Sequence, residues 1–126
     1  MKSSVVVVDT NVIIRYLIGD HQEHFRKACA FWERVRSGTE RAFIPESVLA
    51  ETVYVLLKIY TVPREEIADK LLRLLDYRGL VGEIEVYRQA LKIFARRKID
   101  MVDAIVLAWA KNKGLRIFSF DRDVLK

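Results

Sequence analysis

Val5-Val6-Val7-Val8-Asp9-Thr10-Asn11 is the stretch that decides the fold. Four β-branched apolar residues in a row predict a strand buried on both faces, the pattern of a parallel sheet covered on each side. A carboxylate, a hydroxyl and an amide follow at once, where the strand ends. That rim is where open α/β sheets place their sites.

Outward from this stretch, helices and strands alternate. Val12, Ile13, Ile14, Leu17 and Ile18 predict a short apolar helix ended by Gly19, and Asp20 is placed to cap a second helix running to about Arg36. Phe25, Ala28, Cys29, Phe31, Trp32 and Val35 recur there at helical spacing and read as core. Ala42-Phe43-Ile44 predicts a short strand closed by Pro45, and Glu46-Ser47 opens a helix through Ile59. Tyr60-Thr61-Val62-Pro63 then turns the chain, and Pro63 suits the first position of a helix to about Tyr77, so the two helices form a hairpin. A weak strand is expected around Glu83 to Val86, then a helix through Ala90, Leu91, Ile93 and Phe94, closed by Arg96-Arg97-Lys98. A nearly all-apolar helix follows from Asp100 to Asn112, and a last strand, Ile117 to Phe120, ends in Asp121-Arg122-Asp123. This alternation predicts an α/β fold in three layers, α/β/α, around a mainly parallel four- or five-stranded central sheet. One domain, residues 1–126, is expected to hold all of it.

With 52% hydrophobic residues the chain has material for a sizeable core. Its longest apolar run, Ala104 to Ala110, is too short to cross a bilayer, and the four valines after Met1-Lys2-Ser3-Ser4 are too few for a signal peptide. A soluble, cytoplasmic protein without membrane contact is expected. Cys29 is the only cysteine, which excludes an intramolecular disulfide, and it reads as a buried inert thiol. Charge is unevenly spread. From Arg88 onward ten Lys and Arg stand against four Asp, whereas the first 87 residues are nearly balanced. Such asymmetry suits a polyanion, because neutralising phosphates releases counterions; a solvated basic face explains it equally well.

Four acids sit in unusual places. Asp9 and Asp121 each come directly after a predicted strand, and parallel strands of one sheet end on the same rim. Glu51 falls within about 60° of both Val48 and Val55 on the helical wheel, which points a carboxylate along the apolar side. Asp103 lies one turn into a helix whose next seven residues are apolar. Taken singly, each has a plain alternative: Asp9 and Asp121 as N-caps, Asp100 with Asp103 as a cap and a first-turn acid, Glu51 in an ion pair at the core's edge. Taken together, carboxylates within a few ångströms of one another cannot all stay ionised without a cation. With oxygen ligands only, that cation is a hard one, Mg2+ or Mn2+. His21 and His24 show no partner pattern and read as surface residues. Ser119, lacking a histidine for a nucleophilic triad, reads as a hydroxyl supporting the acids.

The residues resemble a known family, the PIN domain, and within it the VapC-type toxin ribonucleases of toxin-antitoxin modules. The likeness rests on Val-Asp-Thr-Asn-Val at 8–12, Leu-Ala-Glu-Thr-Val-Tyr-Val-Leu at 49–56, Asp-Ala-Ile-Val-Leu-Ala at 103–108 and Phe-Ser-Phe-Asp-Arg-Asp at 118–123. It implies an acidic cluster of Asp9, Glu51, Asp103 and Asp121 holding Mg2+ or Mn2+, with Asn11 and Ser119 in support. Asp100 and Asp123 are additional acids, and Asp123 shares the fourth position with Asp121 as a candidate. The resemblance further implies a metal-dependent endoribonuclease, with Arg15, Arg122 and Lys111 holding the RNA backbone. It also implies a homodimer and an antitoxin gripped by the helical hairpin 46–77. The alternative within the same likeness is a non-catalytic PIN-like module that binds RNA or protein. Two other acidic Mg2+ pockets fit less well. A phospho-receiver needs an acid pair after the first strand, where Asp9 stands alone, and a haloacid-dehalogenase-type phosphatase needs Asp at position 11, which is Asn.

Overall fold

The computed structural model describes residues 4–125, apart from the side chains of Asp123 and Leu125. The chain runs through β1 (Val5–Val7), α1 (Thr10–Ile18), α2 (Gln22–Ser37), β2 (Arg41–Phe43) and α3 (Glu46–Tyr54), which continues into a single π-helical turn, Val55–Ile59. Then come α4 (Arg64–Leu75), β3 (Leu80–Val81), α5 (Ile84–Arg96), α6 (Met101–Lys113) and the short α7 (Arg122–Leu125). The strands form a parallel sheet in the order β1-β2-β3, with Val6 opposite Ala42 and Ala42 opposite Leu80. Every connection between paired strands carries a helix, as parallel pairing requires.

Three strands are found among the described residues, where four or five were expected. The predicted strand Glu83 to Val86 is the first turn of α5; pairing instead uses Leu80–Val81, placed between Gly79 and Gly82. Residues 117–120 belong to no strand among the described residues, and Phe118 and Phe120 are 88% and 93% exposed. Consequently β1 is an edge strand and is not buried on both faces: Val7 is 66% exposed. The central position belongs to β2, whose Ala42 is fully buried, as is Ile44 just beyond it.

The buried side chains form one continuous cluster. Trp32 anchors its α1–α2 end, stacking on Tyr16 at 5.9 Å and donating its indole N–H to the Val12 carbonyl at 3.0 Å. At the other end α5 turns Val86, Ala90, Leu91 and Phe94 inward, packing between α4 and α6. Arg64 ties this region together. Its Nη1 donates to the carbonyls of Phe94, Arg97 and Ile99 at 3.1, 2.9 and 2.9 Å, and the guanidinium lies 4.3 Å over the Phe94 ring. These carbonyls belong to the end of α5 and the turn after it, which have no helical partners of their own. Lysine cannot reproduce the planar fork, so Arg64→Lys is expected to cost about 2 kcal/mol. Urea unfolding should show a lower midpoint with an unchanged slope.

The half-buried Tyr16 and the buried Tyr87 add a pH dependence. Burial, then the hydrogen bond to Tyr77 (2.5 Å), raises the pKa of Tyr16. Tyr87 donates to the Ile44 carbonyl at 2.8 Å, and burial, then the charges of Glu46 and Glu83, push its pKa up to about 12 from 10.0. The folded state thus holds these protons more tightly than the unfolded chain. Stability from this source is intact below pH 10 and is lost as pH rises from 10 towards 12. Urea midpoints measured at pH 9 and at pH 11 should differ, and by less in Tyr87→Phe than in the wild type.

Candidate functional site

Asp9 stands at the junction of β1 and α1. Its Oδ1 accepts the Val12 N–H at 3.3 Å, so the carboxylate caps α1 and faces the positive end of that helix. Thr10, next in sequence, is buried, and its hydroxyl donates to Oε1 of Glu51 at 2.5 Å. This bond joins two residues 41 positions apart and ties the Glu51 carboxylate to the residue that follows Asp9.

Glu51 is exposed, contrary to its expected place on the apolar side of the helix. In α3 and the turn after it the fully buried residues are Leu49, Thr52, Val53 and Leu56. At 100° per residue, Glu51 points away from their centre. The helix carries apolar residues almost all round, which is why Val48 and Val55 misdirected the assignment; both are only half-buried.

Packed between α1 and α6, α3 runs antiparallel to α6: Trp109 donates to Oε1 of Glu46 at 2.6 Å, and Ala50 faces the groove lined by Val102 and Ile105. Moving five residues along each helix from the Glu46–Trp109 pair brings Glu51 level with the first turn of α6, which carries Asp103. Asp103 is half-buried, on the side of α6 away from Met101, Ala104, Ile105 and Ala108. Glu51 is thus tied to Thr10, the residue after Asp9, and Asp103 stands on a helix that packs against α3. Among the described residues, though, no three His, Cys, Asp or Glu side chains stand close enough to hold a metal ion. By chemistry the donors are carboxylates alone, which fits a hard divalent cation.

The remaining candidates divide. Asp121 is exposed, and its backbone N–H donates to Oγ of Ser119 at 2.9 Å, so Ser119 fixes the chain entering the acid. Asp100 is at the N-cap position of α6 but makes no side-chain cap bond. The side chain of Asp123 lies outside the described residues. Arg122 is exposed at the start of α7. Lys111 is exposed and lines a groove of about 450 Å3 with Arg96, Arg97 and the apolar Leu107 and Ile117. Cys29 is half-buried, not fully so.

Beside Asp9 opens a second groove, of about 400 Å3, floored by Val7, Val12, Ala28 and Phe31. Asn11, Arg15, His24 and Lys27 line it as well. Arg15 donates from Nη1 to Oδ1 of Asp20 at 3.2 Å, while Oδ2 of Asp20 accepts from the Tyr60 hydroxyl at 3.0 Å. Asp20 thus does not cap α2; that role falls to His21, whose Nδ1 accepts the His24 N–H at 3.2 Å. Sequence reasoning had no access to these partners. Thr10 had a signal, a hydroxyl adjacent to an acid, but Tyr60 and Asp20 are 40 residues apart and nothing local couples them.

Comparison with known proteins gives two matches. The PIN domain family model matches residues 6–126. A VapC ribonuclease of Aquifex aeolicus (strain VF5) is 29% identical over 118 residues, covering 92% of this chain and 87% of that protein. No helix among the described residues is long and apolar enough to cross a membrane.

Proposed function

The chain belongs to the PIN domain family, and we propose that it is a metal-dependent endoribonuclease, the toxin of a toxin-antitoxin pair. The observation that carries this reading is the Thr10–Glu51 hydrogen bond, which ties a second carboxylate to the residue that follows Asp9. Support also comes from the likeness to a VapC ribonuclease along nearly the whole chain.

In this reading Asp9, Glu51 and Asp103 hold Mg2+ or Mn2+, and Asp121 is the fourth acid. Bound there, the cation would supply Lewis-acid stabilisation of charge on a phosphate and make water more acidic. The protein's own groups do the rest. Thr10 fixes Glu51, the N-terminus of α1 holds Asp9, and Asn11 lines the groove into which the RNA backbone is laid. Arg15, Lys111 and Arg122 bind backbone phosphates. Asp121 follows an apolar, unpaired segment, and β1 has an unpaired apolar edge that also ends in an acid; addition of 117–120 to that edge would bring Asp121 level with Asp9. The hairpin 46–77, with Tyr54 and Ile59 exposed, is the surface offered to an antitoxin, and a second copy of the chain completes a homodimer.

The non-catalytic alternative draws on one observation, that the described carboxylates do not converge. Incubation of the purified protein with structured and unstructured RNAs, with Mn2+, with Mg2+ and with EDTA, decides between them. Cleavage that EDTA abolishes and Glu51→Gln lacks is the expected result; RNA binding without cleavage in any metal would favour the alternative. Thr10→Val tests the tether itself. Removing the hydroxyl frees Glu51, and the Mn2+ concentration for half-maximal cleavage should rise about 10-fold or more. An unchanged Mn2+ titration would count against Glu51 as a ligand.

A further inference from the structure

We infer that Asp20 and Tyr60 are positioning residues for Arg15, which takes an RNA phosphate flanking the cut in the groove beside Asp9. This rests on the ribonuclease reading above. Asn11 and Arg15 are four residues apart on α1, so they share one helical face, and both line the groove that contains Asp9. Arg15 lies about 9 Å along the helix axis from Asp9. With its guanidinium held by Asp20, past the C-terminal end of α1, it suits a phosphate next to the one at the acids.

A free arginine loses about 2 kcal/mol of rotamer freedom when it is fixed on a ligand. Here the cost is met before any substrate arrives. Nη1 is held by Oδ1 of Asp20, and the other oxygen of Asp20 is held by the Tyr60 hydroxyl, so the carboxylate cannot rotate away. The hydrogen bond to Asp20, before any other influence, raises the Tyr60 pKa and keeps the hydroxyl a donor. Tyr60 in turn closes the π-helical turn Val55–Ile59, and Thr61 after it has a φ of 52°, so the backbone that presents the hydroxyl is set by a defined kink. A π turn adds a residue to the helical register and rotates the residues after it, which is how Tyr60 reaches the end of α1. Among the described residues Arg15 Nε is buried and without a partner, and the groove-side N–H groups of the guanidinium remain for a phosphate, the ligand a planar fork fits best.

The experiment uses the full chain, a mixed-sequence fluorescein-labelled single-stranded RNA, and two readouts: anisotropy in EDTA for binding, and Mn2+-dependent cleavage for kcat and KM. Arg15→Ala should weaken binding and lower the slope of log affinity against log salt by about one. Asp20→Ala should raise KM about 5- to 10-fold with kcat within 2-fold, Tyr60→Phe should raise it about 2- to 3-fold, and Asp20→Asn should fall between wild type and Asp20→Ala. On an Arg15→Ala background, Asp20→Ala should add nothing, because its effect runs through Arg15. Additive losses in the double variant, or a fall in kcat at constant KM, would overturn the inference and leave the ribonuclease reading standing. A wild-type protein that neither binds nor cuts RNA would overturn both.

Discussion

Asp9→Asn is expected to lower Mn2+-dependent RNA cleavage by about 10^3-fold, about 4 kcal/mol of barrier, while leaving the fold in place. The two halves of this expectation have separate causes. Asp9 caps α1 through Oδ1, and asparagine is an equally good N-cap with an oxygen in the same position, so the Val12 N–H keeps its acceptor. What asparagine lacks is the negative charge that a hard cation requires, and an amide oxygen replaces it poorly. Thermal unfolding followed by circular dichroism should therefore shift by no more than a few degrees, while cleavage disappears. Asp9→Ala would lose both properties and so could not separate them. Full Mn2+-dependent activity in a folded Asp9→Asn protein would falsify the assignment of Asp9 as a ligand.

The sequence was legible wherever one residue's neighbours in the chain determined its surroundings. Val5 to Val8 declared a strand and Asp9 its end, and the helix starts and stops at Thr10, Gly19, Gly38 and Gly114 followed from local backbone chemistry. Legibility failed where the answer depended on what packs alongside. The valines of β1 are as apolar as those of a central strand, yet their burial depends on a neighbour on the far edge, and residues 117–120 are not paired there. Glu51 shows the same limit. Its helix is apolar on nearly every side, so periodicity could not say which side faces the core, and the positions of α1 and α6 settled it. The strand near Glu83 was displaced by three residues for a local reason that can be named. Leu80-Val81 is flanked by glycines, and Gly79, packed against the backbone carbonyls of Val35 and Glu40, admits no side chain.

The close approach at Gly79 carries a second large effect, this one on stability. Gly79→Ala is expected to destabilise the protein by about 3 kcal/mol or more, lowering the thermal midpoint by roughly 10 °C. A Cβ at Gly79 would lie 1.9 Å from the Glu40 carbonyl oxygen and 2.9 Å from that of Val35, and both are backbone atoms with no rotamer to yield. Gly79 is held from both sides, since its N–H donates to the Val35 carbonyl at 2.8 Å and its carbonyl accepts from Ala42 at 2.9 Å. Relief thus means either moving the end of α2 with residues 40–41 or swinging Gly79 outward and breaking both bonds. Either movement disturbs the Ala42–Leu80 register, and through β2 the Val6–Ala42 register that sets the height of β1 and of Asp9 at its end. Gly114→Ala is the control. Gly114 has a φ of 66° but nothing within 4 Å of a built Cβ, so it should cost only about 1 to 2 kcal/mol of backbone strain. If the two variants unfold at the same temperature, the close approach at Gly79 is not what holds the sheet, and the rim that carries Asp9 must be fixed by α1 and its cap alone.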